Sequence, residues 1–463
     1  MGGNSLTVRS ASGAPGGTHI KELGTYAGFG VLVLLAAFLL GNAGIDVHLI
    51  VLPIAAIAIS YLAGRVLAHE HDARWLPAMF AFGAVGKVFG SAARYWVLEV
   101  QYGGVGDAVG YHNRGLEMAD VWRSGAIPPI PEGLASLGTR FMGWVTGLLY
   151  VPFKPSLLGG FFIYAILALI GQFLFYAAFR RWAPEKTHFR YLLLILFWPT
   201  IVYWPSSIGK EAFLMLFLGI CMYAISRLFQ NFGFPWLIVF GAGAGVIFVV
   251  REHVTALLGL SLVGTMIAVK ATSGFAGRRL LLVMVLVGGL VPVAAGVSAR
   301  FGVSFEDSVS AEDFDGLQAD LERTTGQGGS AVTGGVVSTP IDLPAGILKV
   351  LYRPLPNEAS NMQMLIASFE GTALLLLTLW TLPRWWPELL KARRSPIVLY
   401  SAIYTLGFVI AWSWILNLGI LARQRSLVVP FVLIIFAYGW YERPRMTYED
   451  YEPVDYVDAR RGT

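Results

Sequence analysis

The sequence predicts an all-α, polytopic membrane protein with about twelve transmembrane helices and two long external loops that carry interfacial helices. Hydrophobic residues make up 56% of the 463 residues and charged residues only 14%, against about 25% in an average soluble domain. Several uncharged apolar runs reach about 18 residues, the length at which a helix can cross a bilayer. The basic residues are concentrated in a few of the connections between those runs.

Twelve apolar runs are predicted to span the membrane. In chain order they are Ala27–Gly41, Leu49–Leu67, Leu76–Leu98, Leu157–Phe179, Tyr191–Trp204, Phe213–Leu228, Phe234–Val250, Val254–Val269, Leu280–Ala299, Met364–Leu382, Ile397–Leu416 and Leu427–Trp440. Another run, Phe141–Phe153, is too short to cross at a rise of about 1.5 Å per residue, and it ends beside Pro152 and Pro155. We expect it to form an interfacial or re-entrant helix.

Lysine and arginine residues set the expected orientation. They occur in four groups: Arg180, Arg181 and Lys186; Lys270, Arg278 and Arg279; Arg384, Lys391, Arg393 and Arg394; Arg443 and Arg445. Twelve spans place all four groups on one side with both termini, and the positive-inside rule makes that side the cytoplasm. The sequence therefore predicts a multi-pass protein of a bacterial cytoplasmic (inner) membrane. The membrane domain would be residues 23–441, between a disordered cytoplasmic N-terminus (1–22) and a cytoplasmic tail (442–463).

The opposite face collects ionisable side chains at the ends of predicted spans. They come from five connections: Asp107, Tyr111, His112 and Arg114; Lys210 and Glu211; Arg251 and His253; Arg353 and Glu358; Arg423 and Arg425. Charges at a membrane boundary are costly and often mark substrate or ion pathways. The alternative is that each long side chain only extends to the lipid headgroups. Five clusters on one predicted face favour a shared polar site.

Two external loops are long enough to contribute structure of their own. The loop at about 101–156 contains Asp107, a helical stretch, a Pro-rich turn and the apolar run Phe141–Phe153. The loop at about 301–361 has an acidic beginning, a Gly-rich hinge, TTGQGGSAVTGG, and an amphipathic segment, IDLPAGILKVLYRPL. The pattern leaves open whether this second loop is a lid over a site or a plain connector.

The order of features from Asp107 to Arg181 resembles that of a known superfamily. It is Asp-x-x-x-Tyr, a surface helix, a Pro-rich turn, a short apolar helix, a long apolar span and a basic cytoplasmic loop. This layout resembles the first external loop of the GT-C superfamily of membrane glycosyltransferases. The segment NLGILARQR, followed by Pro430, and the external arginines resemble Wzy-type polysaccharide polymerases. One departure is that Asp107 follows the third predicted span, whereas the acid of GT-C enzymes normally follows the first.

The resemblance implies a GT-C-like fold and sugar transfer from a polyprenyl phosphate or pyrophosphate carrier to a saccharide acceptor. Such a reaction needs a carboxylate that activates the acceptor hydroxyl, and cations that hold the phosphate. We assign Asp107 as the general base, with His112 as a second candidate. The expected phosphate clamps are Arg251, Arg353, Arg423 and Arg425. A guanidinium suits this role because it contacts two phosphate oxygens at once.

Other polar residues are expected to bind the substrate around those groups. Lys210 would act as a point charge on the phosphate, oriented by Glu211, and Tyr111 would stack on a sugar ring. Further expected substrate-binding residues are Arg114, His253 and Glu358. The partners are then a polyprenyl-linked sugar, its saccharide acceptor and the lipid bilayer.

Several other functions lack a sequence signal. The chain has no GxxxxGKS/T loop and no GxGxxG motif opening a helix, which argues against an ATP-driven pump and a sugar-nucleotide domain. It has no HExxH motif and one cysteine, Cys221, so no metal site is predicted; the resemblance leaves dependence on a divalent cation open. The net charge of +5 is assigned to cytoplasmic loops and not to nucleic-acid binding. The alternative function is a flippase or transporter for lipid-linked oligosaccharides, whose polar residues would lie near the bilayer midplane.

Overall fold

The fold comes from a computed structural model that describes residues 48–69, 73–128, 137–152, 154–230, 233–268, 334–359, 361–390 and 395–439. Throughout these ranges the chain forms helices joined by turns, with no β-strand, so the predicted all-α class is confirmed. The predicted spans Ala27–Gly41 and Leu280–Ala299 lie outside the described residues, as do the tails 1–22 and 442–463 and loop residues 301–333.

Fifteen α-helices are described. In chain order they are α1 His48–His69, α2 Leu76–Trp96, α3 Asp107–Arg123, α4 Leu137–Tyr150, α5 Leu157–Phe179, α6 His188–Phe197, α7 Pro199–Tyr203, α8 Lys210–Gln230, α9 Phe234–Val250, α10 Glu252–Ala268, α11 Leu343–Ile347, α12 Met362–Leu390, α13 Pro396–Trp412, α14 Leu418–Gln424 and α15 Val429–Gly439. Short 3₁₀ turns occur at Glu185–Thr187, Trp204–Ser206, Pro340–Asp342, Pro356–Glu358 and Arg425–Leu427. Helices α2 and α11 each continue into one π-helical turn, at Val97–Gln101 and Leu348–Tyr352.

Five of the described helices are long and apolar enough to cross a membrane. They are His48–Ala68, Leu76–Gln101, Leu157–Phe179, Lys210–Gln230 and Met362–Pro383. A sixth crossing results if α14 and α15, which are bent by 59° at a short break, form one span. Helices α9, α10 and α13 match predicted runs but have 17 residues each. A typical membrane-crossing helix has about 20 residues. The predicted count of twelve spans is therefore not confirmed.

The central helices approach closely where two glycines meet. Gly171 of α5 and Gly219 of α8 lie opposite each other, and a Cβ atom on either would collide with the backbone of the other helix. Small residues at such contacts let membrane helices gain van der Waals packing, because lipid chains provide no hydrophobic drive for helix association. Phe175 of α5 extends this core to α15 through an edge-to-face contact with Phe431, whose ring centroid is 5.2 Å away.

Two prolines break the predicted span Tyr191–Trp204 into α6, α7 and a 3₁₀ turn. Pro199 has no N–H, so the carbonyl of Ile195, four residues earlier, has no helical donor. The buried Gln172 of α5 supplies one, with 2.6 Å between its Nε2 and the carbonyl oxygen. The side chain of a neighbouring helix thus completes the backbone hydrogen bonding of the broken one.

The second proline is compensated by a buried lysine. Pro205 deprives the carbonyl of Ile201 of its donor, and Nζ of Lys87 in α2 lies 2.7 Å from that oxygen. The same Nζ is 3.4 Å from the carbonyl oxygen of Pro205. Unpaired backbone groups are not tolerated in hydrocarbon, so proline breaks in membrane helices need such partners. The break also directs the chain through Ser207 to the start of α8.

The helical stretch after Asp107 and the run Phe141–Phe153 form α3 and α4, which run alongside each other in the same direction. At one end Tyr111 hydrogen-bonds to Thr139, and at the other Arg123 donates to the carbonyl of Tyr150. Helix α4 has 14 residues, too few for a crossing, as predicted. Both helices therefore begin at the same end of the molecule.

The predicted amphipathic segment near 341–355 is helical from Pro340 to Tyr352. Lys349 within it is fully buried and donates to the carbonyl of Ser413, with Nζ 2.7 Å from the oxygen. This contact fixes the segment to the C-terminal end of α13.

Replacing Gln172 with leucine is expected to lower the free energy of unfolding by about 1–3 kcal/mol, because the Ile195 carbonyl would stay buried without a donor. Thermal unfolding in one detergent measures the change. Gln230→Leu is the matched control, since Gln230 is exposed and accepts from Arg181 over 3.3 Å. Equal losses in both variants would contradict the assigned role of Gln172.

Candidate functional site

A polar cavity of about 470 Å³ lies where α3, α8, α12 and α14 begin. Its polar lining residues are Arg94, Tyr102, Asp107, Ser207, Glu211, Asn361, Gln363, Asn417 and Arg423. These residues come from parts of the chain that are more than 300 positions apart. The cavity is therefore a product of the tertiary fold and not of one loop.

Four helix N-termini contribute to the cavity lining. Lining residues occur in the four segments where these helices begin: 106–108, 207–211, 361–364 and 417–420. The first N–H groups of a helix have no helical acceptor and carry the positive end of its dipole, equivalent to about +0.5 charge. Asn361 and Asn417 each accept one such N–H, from Met364 at 2.9 Å and Ile420 at 3.1 Å. The helix dipoles add positive potential at the cavity, which Asp107 and Glu211 in the first turns of α3 and α8 partly offset.

Glu211 is the buried centre of the charged network in the cavity wall. Its Oε1 accepts from Nη2 of Arg251 at 2.9 Å and from Nε of Arg423 at 2.8 Å, and the residue is 4% exposed. Arg251 also donates to Oε1 of Gln424, the neighbour of Arg423. One carboxylate thereby connects α8, the junction of α9 with α10, and α14.

Asp107 is the accessible carboxylate of the cavity. It is the first residue of α3, its side chain is 67% exposed, and its Oδ2 lies 3.6 Å from Nη1 of Arg423. At that distance the contact is an ion pair and not a tight hydrogen bond, so the Asp107 oxygens can still accept a hydrogen bond from a bound molecule. Arg423 thus lies between a buried carboxylate, Glu211, and an accessible one.

The other two predicted clamps lie apart from this network. Nε of Arg353 is 2.8 and 3.0 Å from the two carboxylate oxygens of Glu358. Arg425 is fully buried and donates to the carbonyl of Arg353. Neither these three side chains nor Arg251 is among the described residues that line the cavity, so Arg423 is the predicted clamp that reaches it and no single pocket is shared by all four. A substrate role for Arg353, Glu358 and Arg425 stays a prediction.

Tyr111 and His112 follow Asp107 on α3, and both are buried. Burial, together with the charge of Asp107, raises the pKa of the Tyr111 hydroxyl. Nδ1 of His112 lies 3.0 Å from the hydroxyl of Tyr150, and burial lowers the pKa of its imidazole. Neither ring is part of the described cavity lining, so the geometry does not support direct substrate contact by either residue.

Three further predicted residues also lie behind or beside the lining. Nζ of Lys210 is 3.2 Å from Oγ1 of Thr139 in α4. Arg114 is exposed on α3. His253 packs edge-on against Trp412, with 5.1 Å between ring centroids. Their expected contacts with a substrate stay predictions.

Sequence reasoning missed one cation of the cavity, Arg94 in the last turn of α2. Its guanidinium carbon lies 4.8 Å from the ring centroid of Trp204 and 5.0 Å from that of Tyr203. The signal was an arginine near the end of an apolar span. Its contact with these aromatic rings depends on the broken helix α6–α7, which the sequence pattern did not predict.

Comparisons of the chain with protein-family models, with curated proteins and with solved structures give no match. The chemistry of the cavity therefore rests on its own residues. Within the described part of the chain, no group of three or more His, Cys, Asp or Glu side chains is arranged to hold a metal ion.

Replacing Glu211 with glutamine is expected to lower the free energy of unfolding by about 3 kcal/mol, because two largely buried guanidiniums lose their shared anion. Chemical unfolding in detergent micelles measures the change. Asp120→Asn is the matched control: Asp120 also meets two cations, at 2.9 and 2.7 Å, but its side chain is 54% exposed. Screening by water makes the control change small. Comparable losses in both variants would contradict the importance of the buried network.

Stability is expected to fall as the pH drops below about 6.5, in part through His112. Its pKa is lowered in the folded state, so the unfolded chain takes up a proton first and unfolding becomes more favourable. The difference in unfolding midpoint between the wild type and His112→Gln should therefore shrink from about pH 7.5 to about pH 5. A difference that is constant over this range would contradict the expectation.

Proposed function

We propose that the protein is a membrane glycosyltransferase or polysaccharide polymerase that uses a sugar linked to polyprenyl phosphate or pyrophosphate. One observation supports this proposal best: the accessible carboxylate of Asp107 shares a cavity with Arg94 and Arg423 at the N-terminal ends of four helices. A carboxylate suits proton transfer from a hydroxyl, and guanidiniums with helix N-termini suit a phosphate. The volume of about 470 Å³ lies within the range of small-molecule sites.

In the proposed reaction, the acceptor hydroxyl gives its proton to Asp107 while its oxygen attacks the anomeric carbon of the donor sugar. The bond from that carbon to the phosphate oxygen breaks, and the carrier phosphate leaves with the bonding electron pair. Arg423 and the N-terminus of α8 stabilise the growing negative charge. Glu211 keeps Arg423 in place through the 2.8 Å bond to its Nε.

The proposal places the reaction at the outer face of a bacterial cytoplasmic membrane. The predicted basic loops would then face the cytoplasm, following the positive-inside rule. The lipid carrier would come from the bilayer and the saccharide acceptor from the aqueous side.

One observation favours the alternative, a flippase for lipid-linked oligosaccharides. Glu370 lies within the candidate span Met362–Pro383, is buried, and faces the charge of Arg425. Ionisable groups inside membrane spans occur in transport pathways. However, Lys87 and Gln172, two other buried polar residues within spans, already hydrogen-bond to carbonyls of the broken helix. They do not extend a polar path.

Asp107→Asn is expected to slow sugar transfer by about 10²–10⁴-fold, because an amide cannot take up the acceptor proton. Protein in lipid nanodiscs is incubated with polyprenyl-phosphate and polyprenyl-pyrophosphate sugars and saccharide acceptors. Release of the free carrier and labelling of the acceptor are both measured.

Glu117→Gln is the matched control, because Glu117 is an exposed carboxylate on the same helix and is not part of the cavity lining. It should transfer sugar at the wild-type rate. Unchanged transfer by Asp107→Asn would remove Asp107 as the base. No transfer from either donor, together with movement of a labelled lipid between leaflets, would favour the flippase.

A further inference from the structure

A second, apolar cavity borders the polar one. It has a volume of about 690 Å³ and lies between α2, α12 and the broken helices α6 and α7. Trp204, Gln363 and Ala367 line both cavities, so the two spaces adjoin at these side chains. A polar and an apolar compartment that adjoin in this way match a molecule with a polar head and an apolar chain.

The apolar cavity follows one face of α2. The lining positions have the spacing of three and four residues that defines a helix face. They are 82, 85, 86, 89, 90, 93, 96 and 97. Residues 82–97 extend about 22 Å at about 1.5 Å per residue, longer than the about 15 Å hydrocarbon depth of one leaflet. Phe82 and Phe89 on this face are 60% and 72% exposed, so the cavity is open to the surroundings of the helices.

Arg94 lies at the boundary of the two cavities. It lines the polar cavity, while the rings of Tyr203 and Trp204 beneath its guanidinium line the apolar one. Its hydrogen bonds are long, 3.4 Å to Oγ of Ser207 and 3.5 Å to the hydroxyl of Tyr203. A guanidinium has five N–H donors, so most of its donor capacity is available to a ligand.

The charge of Arg94 also differs from that of Arg423. Arg423 lies between the carboxylates of Glu211 and Asp107, at 2.8 and 3.6 Å. Among the described residues, no carboxylate lies within ion-pair distance of Arg94. Arg94 is therefore the lining guanidinium that no described carboxylate pairs with, and it lies at the boundary with the apolar space.

We infer that Arg94 binds the phosphate of a single-chain lipid phosphate whose hydrocarbon chain occupies the apolar cavity between α2 and α12. The inference rests on the proposed function and deepens it, because it assigns the binding site of the carrier phosphate and the path of the carrier chain. A sugar attached to that phosphate extends into the polar cavity toward Asp107 and Arg423. Free phosphate would use Arg94 alone, without the apolar cavity.

The test is binding of three probes to purified protein in detergent micelles: a long-chain polyprenyl phosphate, a short-chain analogue and inorganic phosphate. Arg94→Gln is expected to weaken binding of both lipids by about 10- to 100-fold, the loss of charge-assisted hydrogen bonds. Arg94→Lys should lose less lipid affinity, because lysine keeps the positive charge but lacks the planar guanidinium that contacts two phosphate oxygens. Arg65→Gln is the control, since Arg65 is exposed on α1 and lines neither cavity.

A second variant tests the path of the chain separately. Gly86 lines the apolar cavity, and a Cβ there would meet only the Phe197 ring, at an ordinary 3.6 Å, so a larger side chain at this position begins without a backbone clash. Gly86→Leu should weaken binding of the long-chain lipid and leave the short-chain analogue unchanged. This chain-length dependence is not expected from a general loss of folding.

Three results would overturn the inference: unchanged lipid binding by Arg94→Gln, inorganic phosphate binding as tightly as the lipids, or equal effects of Gly86→Leu on both chain lengths. These outcomes are independent of the catalytic assay. If sugar transfer needs Asp107 but not Arg94, the proposed function stands and the phosphate site at Arg94 is rejected. If lipid binding depends on Arg94 but no sugar is transferred, the phosphate site stands and the proposed function is rejected.

Discussion

The pairing of Glu211 with Arg251 and Arg423 is the interaction on which the candidate site depends. The three residues are far apart in sequence, and their contacts of 2.9 and 2.8 Å fix α8, the α9–α10 junction and α14 around one cavity. Two guanidiniums this close would repel each other without the anion between them. Removing three charges from water is costly, so the network forms only where the fold completes its hydrogen bonds. It also determines where Arg423 meets Asp107.

The broken helix α6–α7 is the second constraint. It explains why polar residues separate two apolar runs in the segment IVYWPSSIGKEAFLMLF, residues 201–217. If the helix were uninterrupted, Ser207 and Glu211 would lie on the same helix axis as the apolar residues before them. Pro199 and Pro205 end that helix instead, and Gln172 and Lys87 satisfy the carbonyls that the prolines leave open. The chain then turns, and α8 begins with Glu211 at the cavity. The same break places Tyr203 and Trp204 beneath Arg94.

Local sequence patterns predict the helices well and their mutual placement poorly. The predicted runs Leu157–Phe179 and Phe234–Val250 coincide with α5 and α9, because a continuous apolar run between polar residues defines both ends. The structure also brings together Asp107, Glu211, Arg251 and Arg423, which the sequence placed on one face. The position of Arg94 could not be predicted, because it depends on how α2 packs against a broken helix. The burial of Arg425 could not be predicted either, since a pattern of apolar residues does not show whether a guanidinium faces the interior.

The central claim is that the cavity receives the phosphate and sugar of a lipid-linked donor. The most direct measurement is an experimental structure of the Asp107→Asn protein in lipid nanodiscs with a polyprenyl-phosphate sugar bound. We expect the phosphate within hydrogen-bonding distance of Arg94 and the sugar in the polar cavity, next to residue 107 and Arg423. A donor whose phosphate lies outside this cavity, with Arg94 and Arg423 in contact with protein groups alone, would contradict it.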